Sequence, residues 1–398
     1  MKILFVIPYY YPAWAYGGPP RYVYQMSKEL AIRGNSVTIY TTDTLNVHQR
    51  IQQSLVETDP LLKGVEVHYF RNMSNWLAGK QHLFLAPGLV KSANRNLNSF
   101  DIIHLQGART TLHIPIHYYA KKYQVPYVID AMGSAQNLVV NRPLKYLYDQ
   151  LFGDRILREA AGVIVATRIE LDEYRKLGVE GKQIKKIPLA FDVGAFSNLP
   201  SLNQFRNKFG IKEKHVILFL GRIHKIKGLD FMVESFYKLT KERSDIVLVI
   251  AGPDDGFKSS LITMIHELGI SSKVVFTGFL GWEDKLSAYV DASMLVQPSR
   301  FERGPGSPFE AVLCNTPIIV TKDTGAGEIV ADANAGSLVQ FGNSVELALA
   351  MRHILDDPTE AMEKVKAAKQ YIIENFSLNK VAEDYDNMFK SIAGKKNE

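Results

Sequence analysis

The sequence predicts a two-domain α/β protein built on doubly wound parallel sheets, and three observations predict it. Apolar runs of strand length alternate with amphipathic segments of helix length almost from end to end. The alternation restarts after a Pro-, Asn- and Ser-bearing break, DVGAFSNLPSLNQ, at 192–204. A chain of 398 residues is also too long for one typical core. Alternation of this kind calls for parallel strands joined by right-handed crossovers.

Taken in order, the first half offers strands at KILFVI (2–7), SVTIYTT (36–42), VEVHYF (65–70), DIIHLQ (101–106), PYVID (126–130), GVIVAT (162–167) and IKKIP (184–188). Helical patterns lie between them. RYVYQMSKELAIRG, for example, ends on Gly34 as a helix C-terminus should. After the break come HVILFLG (215–221), DIVLVIAG (245–252), KVVFTG (273–278), ASMLVQP (292–298) and TPIIVT (316–321). Residues 358–393 read as two successive helices with no further strand, and GKKNE at the end reads as a disordered tail. The domains are therefore expected at 1–195 and 196–376, with the last helix at 377–398. Two such units facing each other make a cleft at the carboxyl ends of their strands, where open parallel sheets bind ligands.

Composition sets the surroundings. The apolar share of 46% and charged share of 22% are those of a globular protein, and no apolar run is long enough to span a bilayer. MKILFVIPYYYP starts like a strand, without a signal-peptide cleavage pattern. The one cysteine, Cys314, cannot form an internal disulfide and lies in the apolar run AVLCNTPIIV, where a packed thiol is expected. A cytosolic protein follows. Net charge is +6, unevenly spread: residues 1–195 hold 23 Lys and Arg against 15 Asp and Glu, the remainder 24 against 26. The basic first half suits an anionic partner, either a phosphate-bearing acceptor or an anionic membrane face, with scattered solvated lysines as the alternative. Nucleic acid is not expected, because no run of five Lys or Arg and no recognised nucleic-acid module occurs.

Four loops carry the candidate chemistry. In PSRFERGPGSPFEAVLCNTPIIV (298–320), Glu302 and Glu310 stand on a glycine-rich loop leading into a helix. Ser307, Pro308 and Glu310 read as N-cap, first and third helical residues, with Glu310 closing a capping box. Gly304 and Gly306 let backbone amides approach an anion at the positive end of that helix. A solvated loop residue and a mere helix cap are the alternative roles for Glu302 and Glu310. Gly17-Gly18 precede a helix after the first strand and allow backbone contact with phosphate or sugar, or simply make a turn. In GRIHKIKGLDF, Gly221 and Arg222 leave a strand end, Lys227 follows, and Gly228 opens a helix; two cations there suit a diphosphate. TGAGEIV (324–330) supplies a further turn with Gly325, Gly327 and Glu328. G-x-G-x-x-G and Walker motifs are absent, as is any His, Cys, Asp or Glu cluster at metal-ligand spacing, so no metal and no cofactor is expected.

In this order these motifs (GG at 17–18, GR-x4-KG at 221–228, Pro298-Ser299, Glu-x7-Glu at 302–310, EAVLCNTPIIV and TGAGEIV) resemble those of retaining glycosyltransferases of the GT-B fold, family 4, over nearly the whole chain. The resemblance implies that Arg222 and Lys227 bind the diphosphate of a nucleotide-sugar donor, assisted by backbone from Gly304 to Ser307. It implies that Glu310 holds the ribose hydroxyls, that Glu302 lies beside the transferred sugar, and that the base rests near Thr277–Leu280, beside Phe279. Gly17 and Gly18 would close over the phosphates, the first domain would bind a glycan or lipid-linked acceptor, and the last helix would cross back onto that domain. The chain departs from the family pattern at Met132, where many relatives place a histidine, at Arg303 and Pro305 within the usual E-G-F-G, and at Leu189-Ala190 after Pro188. His104 is expected either facing the cleft from a strand end or packed.

The reaction implied is metal-independent sugar transfer from a UDP- or GDP-sugar to a hydroxyl with retention. With no carboxylate nucleophile evident, front-face displacement is preferred over a covalent intermediate on a residue such as Asp130. The rival readings are a nucleoside-diphosphate-sugar epimerase of the same fold and a two-domain α/β ligand-binding protein without chemistry. WLAGKQHLFLAPGLVKSANR (76–95), with Trp76, Leu83, Phe84, Leu85, Lys80, Lys91 and Arg95, suits either contact with the inner face of the plasma membrane or a buried helix with a solvated face.

Overall fold

A computed structural model describes residues 1–52, 62–81, 83–132 and 142–394. The chain divides into two compact units. The first holds residues 1–166, 170–190 and 378–398; the second holds 167–169 and 191–377. The GKKNE tail lies outside the described residues apart from Gly394.

The first unit is built on seven strands: β1 (Lys2–Val6), β2 (Ser36–Thr42), β3 (Val65–Phe70), β4 (Ile102–Gln106), β5 (Tyr127–Asp130), β6 (Gly162–Val165) and β7 (Ile184–Lys186). All pair in parallel, in the order β3-β2-β1-β4-β5-β6-β7. This is the doubly wound sheet that the alternation predicts, reversing direction between β1 and β4. Side chains alternate across the sheet, so each strand feeds two cores. Ile103 and Leu105 of β4 join one cluster with the helices Pro87–Asn96 and His113–Lys122. Ile102 joins the opposite cluster, with the helix Gly18–Ile32 and with Val381, Ala382, Tyr385, Met388 and Phe389 of the helix Leu378–Gly394. The C-terminal helix is thus a structural layer of the first unit.

The second unit has six parallel strands, β8 (His215–Leu220), β9 (Ile246–Ala251), β10 (Val274–Gly278), β11 (Met294–Gln297), β12 (Ile318–Thr321) and β13 (Ser337–Val339). Their order is β10-β9-β8-β11-β12-β13, reversing between β8 and β11. The sequence reading lacks β13, an edge strand of three residues. The change of unit falls at 190/191, several residues before the expected 195. There the Phe191 N–H donates to the Phe376 carbonyl at 2.7 Å and its ring packs on Phe309, drawing 191–195 into the second unit.

The segment 76–95 is mixed: Ala78, Ala86 and Ala93 are buried with its two large apolar anchors, while Val90, Lys91 and Arg95 are exposed. Phe84 and Leu89 are buried, while Trp76 is 60% exposed. Phe84 packs edge-on against Tyr9, which removes it from any outward apolar face. Among the described residues no helix is long and apolar enough to cross a membrane.

Candidate active site

The reversal between β8 and β11 places the loops that leave these strands side by side, and these loops carry Lys227 and Glu302. After β8 the chain makes a short turn at Lys225–Lys227, and Gly228 opens the helix Leu229–Thr240. Gly228 has φ +67°, and a Cβ on it would sit 2.0 Å from the Pro298 carbonyl oxygen. Only glycine allows that approach of the two backbones. As a result the Lys227 ammonium meets Glu302 Oε2 at 2.5 Å. The same oxygen accepts from the Gln297 amide at 2.7 Å and the Ser299 hydroxyl at 3.4 Å. Among the described residues no donor reaches Oε1.

The loop after β12 closes the third side. Thr324 caps the helix Gly325–Asp332 by accepting from the Gly327 N–H at 2.9 Å. The Gly325 N–H donates to the Glu302 carbonyl at 2.7 Å, and a Cβ on Gly325 would lie 2.0 Å from the Arg303 carbonyl oxygen. Backbone contacts from two neighbouring loops therefore hold the Glu302 loop. Glu328 serves a different end: its carboxylate accepts from the backbone amides of Arg168 and Ile169, in the short segment 167–169 of the same unit.

Glu310 corrects an expectation. The helix after the glycine loop runs Gly306–Leu313 with Pro305 at its cap, and no side chain caps its first amides. Ser307 is inside the first turn, and Glu310 closes no capping box. Its carboxylate instead takes the Lys285 ammonium at 2.9 and 3.0 Å and the Tyr289 hydroxyl at 2.8 Å. A charged donor within reach outcompetes a neutral backbone amide. A Cβ on Gly306, the first residue of this helix, would meet nothing within 4 Å, whereas Gly304 is buried. Lys285 also stands over the Trp282 ring at 4.5 Å. Burial, with the Glu310 charge nearby, pushes the Cys314 thiol up to about 12, so it is a packed thiol.

The other second-unit candidates stand further out. Arg222 is 62% exposed and pairs with Asp255 on the loop after β9. Gly221 is held by the Ala251 carbonyl at 2.9 Å. Phe279 is 77% exposed on the loop after β10, and no ring contact among the described residues involves it.

In the first unit, Gly17 and Gly18 begin the helix Gly18–Ile32. Gly17 has φ +87°, and a Cβ on either would meet nothing within 4 Å. His104 does not face outward. It is fully buried in the middle of β4, edge-on to Phe5 at 4.6 Å and beside Tyr385 and Phe389 of the C-terminal helix. The alternation of the strand turns it to the face which that helix covers. Burial lowers its pKa to about 4. Asp130 ends β5 and is buried; it accepts from the Met132 N–H at 2.9 Å and the Tyr385 hydroxyl at 3.1 Å. Met132 follows with φ +46°.

Sequence reasoning missed Gln297, Lys285 and Tyr289. Lys285 and Tyr289 are four apart on the helix Trp282–Asp291 and so share a face, a spacing that could have flagged them. Gln297 is the only polar residue of the buried strand MLVQ.

Residues 202–372 match the family described as glycosyl transferases group 1, and residues 17–190 match the glycosyl transferase 4-like domain. The chain is 27% identical over 333 residues to a 2-deoxystreptamine glucosyltransferase of Streptomyces kanamyceticus, covering 78% of this chain and 83% of that protein. It is 25% identical to a D-inositol 3-phosphate glycosyltransferase of Mycolicibacterium smegmatis, covering 88% and 81%. Among solved structures, Anabaena Alr3699/HepE in complex with UDP and glucose has the same fold, with a TM-score of 0.74 at 19% identity over 98% of this chain and all of that one.

Proposed function

The chain belongs to the glycosyltransferases, group 1 in its second half and 4-like in its first, and from that premise we propose that it transfers a sugar from a nucleoside-diphosphate donor to a hydroxyl with the anomeric configuration retained. The observation that carries this reading is the meeting of Lys227 with Glu302 at the reversal point of the second sheet, beside a helix whose first amides no side chain caps. When the glycosidic bond breaks, negative charge grows on the leaving diphosphate. Lys227, Arg222 and the helix amides are suited to neutralise it, and they do so without a divalent metal. Glu302 offers its open Oε1 to a sugar hydroxyl. Glu310, fixed by Lys285 and Tyr289, takes the ribose hydroxyls, and the base lies along Thr277–Leu280. Asp130 is buried and already holds the Met132 amide and Tyr385, which favours front-face displacement over a covalent intermediate.

UDP is the first nucleotide to test, since the neighbour from Anabaena was captured with it. The basic first half favours an anionic acceptor, glycan or lipid-linked. Exposed Trp76, with exposed Lys91 and Arg95 on the same segment, supports docking on an anionic membrane face.

Thermal stabilisation and slow hydrolysis across UDP-, GDP- and ADP-sugars test the donor. One nucleotide class should raise Tm, its sugar should be hydrolysed, and chelation should leave turnover intact. Lys227→Ala should lower turnover by roughly 100-fold or more while the protein stays folded. No response to any nucleotide sugar, or loss of turnover with chelator, overturns the corresponding part of the reading. Co-sedimentation with anionic liposomes in low salt, reversed in high salt, is the expected membrane result.

A further inference from the structure

We propose that Gln297 is a positioning residue that aims Glu302 at the donor sugar, and that the fold retains it at a cost in stability. This rests on the reading of Glu302 as a sugar-side residue. Met294, Leu295 and Val296 of β11 are apolar and at most 1% exposed; Gln297 ends the strand at 7% exposure. A carboxylate only accepts hydrogen bonds, so the amide nitrogen of Gln297 is the end that faces Glu302, at 2.7 Å from Oε2. That choice settles the other end. Gln297 Oε1 is buried, with no hydrogen-bond partner among the described residues.

An unpartnered buried carbonyl oxygen is a penalty that an apolar residue of similar length would avoid. Nothing in the packing of β11 asks for an amide, whereas Glu302 does. Lys227, Gln297 and Ser299 converge on Oε2 and leave Oε1 open in a defined direction. Of the three, Lys227 is the one a diphosphate can draw away. Gln297 and Ser299 then hold the carboxylate alone. Ser299, at 3.4 Å, is the weaker of the two, so the strand-borne amide sets the angle at which Oε1 meets a sugar hydroxyl.

Gln297→Leu separates this role from packing. Tm, UDP affinity, donor kcat and KM, and discrimination between the preferred donor and its hydroxyl epimer are measured in wild type, Gln297→Leu, Glu302→Gln and the double variant. Gln297→Leu should keep or raise Tm and hold UDP affinity within about twofold. Its donor kcat/KM should fall about tenfold with discrimination reduced, and the double variant should be no worse than Glu302→Gln alone. Wild-type kcat/KM and discrimination in Gln297→Leu, or additive losses in the double variant, overturn the proposal. A fall in Tm and UDP affinity that parallels the lost turnover does the same, because the amide is then packing. If the leucine variant does not fold, Gln297→Met is scored by the same criteria, and failure of both to fold counts against positioning. A wild-type protein that binds UDP and hydrolyses its sugar leaves the donor reading standing whatever these variants do. A wild type that responds to no nucleotide sugar removes that reading and this inference with it.

Discussion

Lys227 and Glu302 form a largely buried ion pair, with side chains 17% and 18% exposed. Such pairs trade hydration against mutual attraction and end near balance, so a second anion with more charge can take the lysine. Glu302→Gln keeps the side chain's size and removes the competing charge. It should bind UDP more tightly than wild type in calorimetry, yet turn over its sugar at least about tenfold more slowly. Weaker UDP binding in this variant rules out competition between Glu302 and the diphosphate. At this scale the glycine-rich loop and the helix that follows it were legible, but the partner of Glu310 was not. A capping box is a local pattern that a sequence can display, whereas Lys285 lies 25 positions away and outbids it only because the helices Trp282–Asp291 and Gly306–Leu313 pack together. The same holds for Gln297, whose significance exists only once Glu302 folds over it.

At the scale of elements, three loops and their glycines make the candidate site. Gly228, Gly325 and Gly327 are positions in these loops where a Cβ would strike backbone, at Pro298, at Arg303 and at Thr321. Gly325→Ala needs no unusual φ, so its effect should come from displacement alone. The Glu302 loop must move, and donor kcat/KM is expected to fall about tenfold or more, while far-UV circular dichroism stays unchanged. Unaltered kinetics would mean that the loop after β12 does not support Glu302. The strands themselves were legible almost end to end, since a strand buried on both faces is an apolar run. β13 was not read, and the change of unit at 190/191 escaped because it is set by Phe191 pairing with Phe376.

At the scale of the whole molecule, two buried histidines tie the stability of the first unit to pH. His104 and His113 are fully buried, and burial lowers them to about 4 and about 3. A base whose pKa is lower folded than unfolded is held neutral by the fold. The unfolded chain then binds more protons in the interval between the two values. Stability is complete above about pH 6.5 and falls as pH drops toward 4, by up to about 1.4 kcal/mol per pH unit for each histidine. The urea midpoint should therefore decrease between pH 7 and pH 5. His104→Phe, which suits the aromatic setting of Phe5, Tyr385 and Phe389, should flatten that decrease. An unchanged pH slope would remove His104 as its source.

The order of strands and helices, their parallel pairing and the glycine-marked turns at the carboxyl ends were determined by the sequence alone. Each depends on chemistry within a few residues: period, chain stiffness, and the φ that only glycine tolerates freely. Tertiary structure alone decided which side chains face each other. It turned His104 under the C-terminal helix, gave Glu310 to Lys285 and Tyr289, and set three donors on one oxygen of Glu302. Hydrogen bonds and ion pairs act over a few ångströms whatever the separation along the chain, so their partners are fixed only when packing brings distant segments together.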